Sequence, residues 1–249
     1  MSSNLMSFKT ERINLSSIKE NYLNIKEKES KPIDLNNFQV SFENRTNMVN
    51  WLTFLCNTLN FSNQTLFRVV YIFDQYFSKI SKKEMEEINQ DKLNLITIAC
   101  LSLSTKLEEN NCNYIQFLNE KVLNTSNKKI FTNKDLTKME FEILKVLKYK
   151  IFYSTPLDFI DIYLDIFSNF LEKNNFIMVP EILSNIRTIS INIMKNNINN
   201  ESYIINTCSH FSYLCFIQAL SQVCIMNSLS YKQLEKIILI FDYQLQNIF

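Results

Sequence analysis

The sequence predicts an all-α protein, and three observations indicate this class. Apolar residues recur three and four positions apart along residues 66–77 and 136–147, which is the spacing of one helix face. Helix-start signals precede such runs; Thr132, for example, has Asp135 three positions later, as in a capping box. No segment shows the alternation of apolar and polar residues that would favour a β-strand. Packed helices are therefore the expected architecture.

The expected helices fall into two halves of the chain. They lie near residues 16–29, 44–59, 64–79, 92–107, 113–122, 133–148, 156–173, 178–196, 201–224 and 231–248. Segments 92–107 and 201–224 are apolar almost all round, so each is expected at the centre of a bundle. A break at residues 152–155 separates the halves. Since each half combines amphipathic helices with one buried helix, a repeated all-α module is predicted.

The composition excludes most enzyme classes. The 249 residues include no glycine, three prolines and one histidine, His210. Phosphate-cradling loops and dinucleotide-binding fingerprints need glycine and are therefore excluded. Because there is one histidine and no short-spaced cysteine pair, we expect no metal, no cofactor and no Ser-His-Asp or Cys-His relay. Asparagine is second only to glycine in tolerating the left-handed backbone conformation. Because the chain has no glycine, asparagine is expected to take that conformation at the ends of helices.

The charge balance and the lengths of the apolar runs indicate which classes of partner to expect. Lys and Arg total 26 against 25 Asp and Glu, a net charge of +1, and such a balance does not favour nucleic acid as a partner. No apolar run approaches the roughly 18 residues of a membrane span, so no membrane partner is expected. The six cysteines lie mostly among apolar residues and are expected to be buried, reduced thiols of an intracellular protein.

Four motifs, in order within about 100 residues, resemble those of the cyclin family. They are residues 45–52, which contain Arg45 and Trp51; residues 66–78, which contain Asp74; residues 99–109, which contain Lys106; and residues 131–147, which contain Glu140. Residues 22–27 resemble the N-terminal helix of mitotic A/B-like cyclins, and residues 154–159 resemble the entry into a second cyclin repeat.

The resemblance implies two tandem five-helix cyclin-box repeats preceded by an N-terminal helix. The expected parts are an N-terminal segment and helix over residues 1–42, a first cyclin box over residues 43–151 and a second repeat over residues 152–249. Between Val223 and Tyr231 there is too little chain for the usual fourth helix, so the second repeat is expected to be shortened.

A kinase-binding face is also implied by the resemblance. Lys106 and Glu140 match the pair with which cyclins hold backbone groups of a kinase's regulatory helix, and we expect them to be exposed and adjacent. The alternative is that both are solvated charges at helix ends. The apolar part of the same face corresponds to Leu107, Leu144, Tyr149 and Ile151. For these residues the alternative is packing in the core.

Arg45 and Asp74 match an ion pair that ties the first two helices of the box together, which makes them structural. Residues 12–21, beginning with Arg12, resemble a destruction signal of mitotic cyclins. The pattern Arg-x-x-Leu often occurs by chance, however, and Leu15 and Ile18 fit the apolar face of the first helix equally well.

A substrate-docking groove on the box's first helix is expected to be degenerate. Its residues are Asn44, Met48, Trp51 and Phe54. Cyclins that use this groove have Met where Asn44 stands and an acidic residue where Phe54 stands. The groove should therefore bind basic-hydrophobic peptides poorly. The alternative is that Phe54 joins the core.

The function expected from the resemblance is that of a cyclin, a non-catalytic subunit that binds and activates a cyclin-dependent protein kinase, with substrates or adaptors as further partners. One alternative is a cyclin-fold adaptor or scaffold in a nuclear or chromatin complex. Another is a DNA-contacting transcription factor, which is disfavoured because the lysines in residues 79–83 are followed at once by glutamates in residues 84–87. The expected location is the nucleus, the cytoplasm or both.

Overall fold

The computed structural model describes residues 15–109, 131–173, 179–226 and 231–248. Within these ranges the regular structure is helical and no strand occurs, which confirms the predicted all-α class. The helices are α1 (Leu15–Glu27), α2 (Phe42–Thr58), α3 (Asn63–Phe77), α4 (Lys82–Glu86), α5 (Gln90–Glu108), α6 (Asn133–Val146), α7 (Pro156–Lys173), α8 (Val179–Asn197), α9 (Glu201–Ile205), α10 (Cys208–Met226) and α11 (Tyr231–Ile248), with a 3-10 turn at Leu35–Asn37. The helix expected over residues 113–122 lies outside the described residues.

Side chains cap the starts of several helices. Ser41 and Ser62 accept hydrogen bonds from backbone N–H groups in the first turns of α2 and α3. Ser81 begins α4 with a capping box, and Thr132 with Asp135 forms the predicted box at α6. Each cap satisfies N–H groups that have no partner inside the helix, so these residues determine where the helices begin.

The core of the first half is built on α5, which packs against α2, α3 and α6. Most of its buried hydroxyls are bonded within the helix, since Thr97 and Ser104 donate to carbonyl oxygens one turn earlier, at 2.8 and 2.9 Å. The buried hydroxyl of Ser102 is the exception and has no partner among the described residues. Hydroxyls bonded within their own helix can be buried at little cost. This explains how α5 can be enclosed on most sides, as its composition predicts.

The core of the second half is built on α10, which packs against α7, α8, α9 and α11. Among the described helices, α10 is long and apolar enough to span a membrane by length and composition. Its central position among four helices accounts for that composition equally well.

The prediction of one continuous helix over residues 201–224 is wrong, because two helices, α9 and α10, occupy this segment. Asn206 is extended, and the Thr207 hydroxyl accepts from the N–H of His210 to start α10.

The N-terminal helix is attached to the second half. α1 packs against α7, and the backbone N–H of Ser154 donates to the Lys28 carbonyl oxygen at 3.2 Å. The Glu29 carboxylate accepts from the N–H of Ser209, at the start of α10, at 2.6 Å. Ile33 N–H donates to the carbonyl oxygen of Ile204. The segment after α1 therefore links the two halves before α2 begins.

Three described residues have positive φ: Asn60, Lys148 and Tyr149. Asn60 ends α2, as expected for asparagine in a chain without glycine. Lys148 ends α6 in a Schellman motif, since its N–H donates to the carbonyl of Lys145 and the N–H of Tyr149 donates to that of Leu144. Within the described residues, therefore, asparagine is not the only residue that takes the left-handed position in place of glycine.

Candidate functional site

Lys106 and Glu140 lie in direct contact where α5 and α6 run side by side. The Lys106 Nζ lies 2.6 and 2.7 Å from the two carboxylate oxygens of Glu140. The Lys106 side chain is 41% exposed, whereas that of Glu140 is only 10% exposed. The expectation that both are exposed is therefore wrong for Glu140. It lies on the side of α6 that packs against α5, next to Met139 and one turn before Ile143, which are both buried.

The Lys106–Glu140 pair can bind backbone groups of another chain. A carboxylate has about four acceptor positions and an ammonium has three donors, so their mutual contact leaves capacity on both. Charged groups also make the stronger hydrogen bonds. An N–H and a C=O of a partner helix could thus be held together at one point of the surface, with Glu140 fixed in place by packing.

Two further carboxylates at the end of α5 are fastened to α3. Glu108 accepts from Arg68 Nε at 2.7 Å, and Arg68, which is buried, also donates to the carbonyl of Tyr153. Glu109 accepts from the backbone N–H of Ser62 at 2.8 Å and from the hydroxyl of Thr65. Burial alone would raise the pKa of Glu109, but these hydrogen bonds outweigh burial and lower it. The end of α5 is therefore held in a fixed position.

The sequence analysis did not single out Arg68 as a functional residue. The signal was present, because Arg68 is the one charged residue in the first two turns of an apolar run. A charge in such a position needs a partner once it is buried. Glu108 provides it from α5, and this contact joins residues that are far apart in the sequence.

The four apolar residues of the expected face have different environments. Tyr149 is 60% exposed, Leu107 and Leu144 are partly buried against the core, and Ile151 is buried. For Ile151 the structure therefore shows core packing. Two exposed aromatic residues that the sequence analysis did not name lie nearby in the chain: Phe141, on α6 three residues before Leu144, and Phe152. Both could have been found from the sequence, because each is an aromatic residue at a position outside the apolar pattern of the buried helix faces.

Arg45 and Asp74 form a two-point ion pair in the interior. Arg45 Nε and Nη2 each lie 2.8 Å from one oxygen of the Asp74 carboxylate. Burial raises the pKa of Asp74, although the charge of Arg45 acts in the opposite direction. Arg45 Nη1 also donates to the carbonyl of Ile198 at 3.0 Å, and the guanidinium lies 5.9 Å from the ring centroid of Tyr203. The pair thus connects α2 and α3 to the second half as well as to each other.

The residues of the expected groove lie on α2. Met48 is buried, and Asn44 and Trp51 are partly buried. Phe54 is 62% exposed, so the alternative that it joins the core is wrong. The buried stripe of α2 runs through Arg45, Met48, Val49, Leu52, Leu55 and Cys56. Phe54 falls outside this stripe, and its side chain is exposed to solvent.

Other candidate chemistry is limited in the described part of the chain. No group of three or more His, Cys, Asp or Glu side chains is arranged to hold a metal ion there. Burial raises the pKa of the thiols of Cys56, Cys208 and Cys215 to about 12, so these cysteines are unreactive. Arg12 lies outside the described residues, and Ile18 is buried in the core.

Comparisons with known proteins agree on one family. The family described as "Cyclin, N-terminal domain" matches residues 10–152. The chain is 31% identical over 121 residues to Cyclin-SDS of Arabidopsis thaliana, covering 48% of this chain and 19% of that protein. It is 28% identical over 118 residues to G2/mitotic-specific cyclin-2 of Saccharomyces cerevisiae, covering 47% and 22%. It is also 28% identical over 138 residues to G2/mitotic-specific cyclin-B of Hydra vulgaris, covering 55% and 35%.

The matched parts therefore span between about a fifth and a third of these relatives' own lengths. Among solved structures, the viral cyclin of herpesvirus saimiri is similar with a TM-score of 0.53 over 94% of this chain and 97% of that one. The sequence identity of that pair is 15%, so the similarity is one of fold.

Proposed function

Because the chain belongs to the cyclin family, we propose that it is a non-catalytic regulatory subunit that binds a cyclin-dependent protein kinase and shifts it toward its active state. The observation that carries this proposal is the Lys106–Glu140 pair, which presents a donor and an acceptor at one point between α5 and α6. These residues match the positions with which cyclins hold the kinase's regulatory helix. Tyr149, just after the end of α6, would supply exposed apolar surface.

The mechanism is a population shift in the kinase. Regulatory contacts can activate only if they are more favourable with the active conformation than with the inactive one. Lys106 and Glu140 would bind backbone groups of the regulatory helix in its inward position, in which the kinase's own Lys-Glu pair forms. A fixed Glu140 favours this role, since a prearranged acceptor loses little conformational entropy on binding.

We also propose a mitotic-type cyclin with two repeats. Two of the relatives described above are named G2/mitotic-specific cyclins. In support of a repeat, α2 to α6 and α7 to α11 each place two long helices and a short one before the central apolar helix. Residues 227–230 separate α10 from α11, whereas the longer stretch 109–132 separates α5 from α6, which supports a shortened second repeat.

The proposal is tested by recovering the kinase and measuring its activity. The tagged chain is isolated from whole-cell extracts of its source, since both nucleus and cytoplasm are expected locations, and co-purifying kinases are identified by mass spectrometry. The purified kinase should then phosphorylate a test substrate at least tenfold faster when the chain is added, which corresponds to about 1.4 kcal/mol of preference for the active state. A kinase that binds without activation would show a non-activating adaptor instead, and recovery of no kinase would reject the proposal.

A further inference from the structure

A small cavity lies where the two halves of the molecule meet. Its wall is formed by α3, by the segment that joins α1 to α2, by the start of α7 and by the break between α9 and α10. The volume of the cavity is about 30 Å³. A polar cavity needs roughly 10 to 15 Å³ to hold one water molecule, so this one has room for a water molecule but not for a larger ligand.

The wall that α3 contributes is polar. Tyr71, Asp74 and Gln75 line the cavity, and all three are buried. Because they are three and four positions apart, they share one face of the helix. The joining segment adds Ser30, and the break between α9 and α10 adds Asn206. Polar groups from both halves of the molecule therefore border one small space.

The Tyr71 hydroxyl is the group on this wall that needs a further partner. Tyr71 is 8% exposed, and its hydroxyl forms no hydrogen bond with any residue in the described ranges. Ser30 and Tyr153 lie near enough to influence its pKa, but neither meets the geometry of a hydrogen bond. Burial raises this pKa, so the hydroxyl stays protonated and can both donate and accept. A buried hydroxyl without a partner is costly, which favours a small polar molecule beside it.

Asp74 offers a second contact, and its charge is already balanced. Each of its two carboxylate oxygens accepts one hydrogen bond from Arg45, at 2.8 Å. A carboxylate has about four acceptor positions, so about two of them remain. Because Arg45 compensates the negative charge, the cavity favours a neutral polar molecule over an ion.

We propose that this cavity binds one water molecule, which donates to the Asp74 carboxylate and accepts from the Tyr71 hydroxyl. Buried waters typically make about three hydrogen bonds to groups that would otherwise be unsatisfied, and Ser30 or Gln75 can supply the third. Since the wall combines α3 of the first half with the α9–α10 break of the second, the water helps to hold the two halves together. The proposal concerns the chain alone and does not depend on kinase binding.

The direct test is a crystal structure of the full chain at a resolution that shows ordered waters. One water should lie within about 3.2 Å of both the Tyr71 hydroxyl oxygen and an Asp74 carboxylate oxygen. A cavity without such a water would overturn the proposal. A Tyr71 hydroxyl bonded directly to Ser30 would also overturn it, because that group would then need no further partner.

Thermal unfolding supplies an independent measurement. Tyr71→Phe keeps the ring and removes the hydroxyl, so losing its contact with the water should lower the Tm by about 2 to 4 °C. Ser102→Ala is the matched control, because the Ser102 hydroxyl is also buried without a partner in the described part of the chain but does not line this cavity. Its Tm should be unchanged or higher.

Two results of this comparison would contradict the proposal. A Tyr71→Phe variant that melts at or above the temperature of the original chain would show that the hydroxyl is unsatisfied in the folded protein. An equal fall in the Tm of Ser102→Ala would show that the loss does not come from the cavity.

Discussion

The two halves of the molecule differ in where they bury charge. Among the described residues, the charged residues that are buried as a whole are Arg45, Arg68, Asp74 and Glu140, all in the first half. The Glu29 side chain, which is 5% exposed, belongs to the segment before α2. The buried polar residues after residue 152 are serines and a threonine. Burying a charge is costly unless it is paired, and each of the four has a partner within hydrogen-bond distance. The first half therefore fixes charged groups in place, whereas the second half is held together by apolar packing.

The ends of the two central helices show the same difference. α5 ends in Lys106, Glu108 and Glu109, and each of these binds a side chain or backbone group of another helix. α10 has no Lys, Arg, Asp or Glu and ends in exposed Ile225 and Met226. Charged hydrogen bonds are directional and apolar contacts are not. The end of α5 can therefore fix the orientation of a bound partner through directional hydrogen bonds, whereas the end of α10 offers only apolar contacts.

The largest effect is expected for Asp74→Ala. This change leaves Arg45 charged and buried without its partner, so it should reduce the free energy of unfolding by about 3 to 5 kcal/mol. Ser212→Ala, the matched change in the second half, removes a buried hydroxyl that donates to the carbonyl of Pro156 and should cost only about 1 kcal/mol. Urea unfolding of both variants measures the difference.

Removing both charges provides the control for this prediction. Arg45→Met/Asp74→Leu should be more stable than Asp74→Ala because no unpaired charge remains. If Asp74→Ala is no more destabilising than Ser212→Ala, the distinction between the halves is wrong.

The next effect concerns the groove of α2. Phe54→Glu places a carboxylate at an exposed position beside Trp51, and a charge-assisted hydrogen bond to a basic peptide contributes about 1.5 to 3 kcal/mol. The affinity for a labelled Arg-x-Leu peptide, measured by fluorescence anisotropy, should therefore rise at least tenfold above a weak starting value. Phe54→Gln, which lacks the charge, should not produce this rise. Micromolar binding by the unchanged chain that is lost in Trp51→Ala would contradict the expectation of a degenerate groove.

The smallest effect is expected for Glu109→Gln, and it depends on pH. The hydrogen bonds that lower the pKa of Glu109 stabilise the fold above the unfolded-state pKa, and this stabilisation is lost as the pH falls through the folded-state pKa. The variant should be less stable by about 0.5 to 1 kcal/mol at neutral pH, a value typical of helix caps. The difference should shrink as the pH is lowered through the folded-state pKa of Glu109 in urea unfolding series. A difference that is constant with pH would show that the charge of Glu109 does not contribute.

The fold could largely be predicted from the sequence because helix faces and caps are local. The spacing of apolar residues placed α3 and α6 within two residues of their observed bounds, and the Thr132–Asp135 signal marked the start of α6 correctly. The break between α9 and α10 was not predicted, since the apolar composition continues on both sides of Asn206. A turn of this kind depends on one extended residue, which periodicity does not detect.

The candidate site could be predicted only in part, because its contacts join distant segments. Lys106 and Glu140 were identified by resemblance, but burial of Glu140 depends on how closely α6 packs against α5. The Arg68–Glu108 contact connects residues whose separation in the sequence gives no sign of proximity. Side-chain chemistry indicated that Arg68 needed a partner, although not which partner.

The central claim is that the charged end of α5 is the kinase-binding site, and the most direct test is the kinase affinity of two matched double variants. Lys106→Ala/Glu140→Ala removes the pair between α5 and α6 without leaving an unpaired charge, so the chain should stay folded by circular dichroism. Asp161→Ala/Arg187→Ala removes an exposed pair between α7 and α8 in the second half. We expect the first variant to bind the co-purified kinase at least tenfold more weakly, a loss of about 1.4 kcal/mol, and the second to bind it unchanged. Unchanged affinity of the first variant, or an equal loss in both, would contradict the claim.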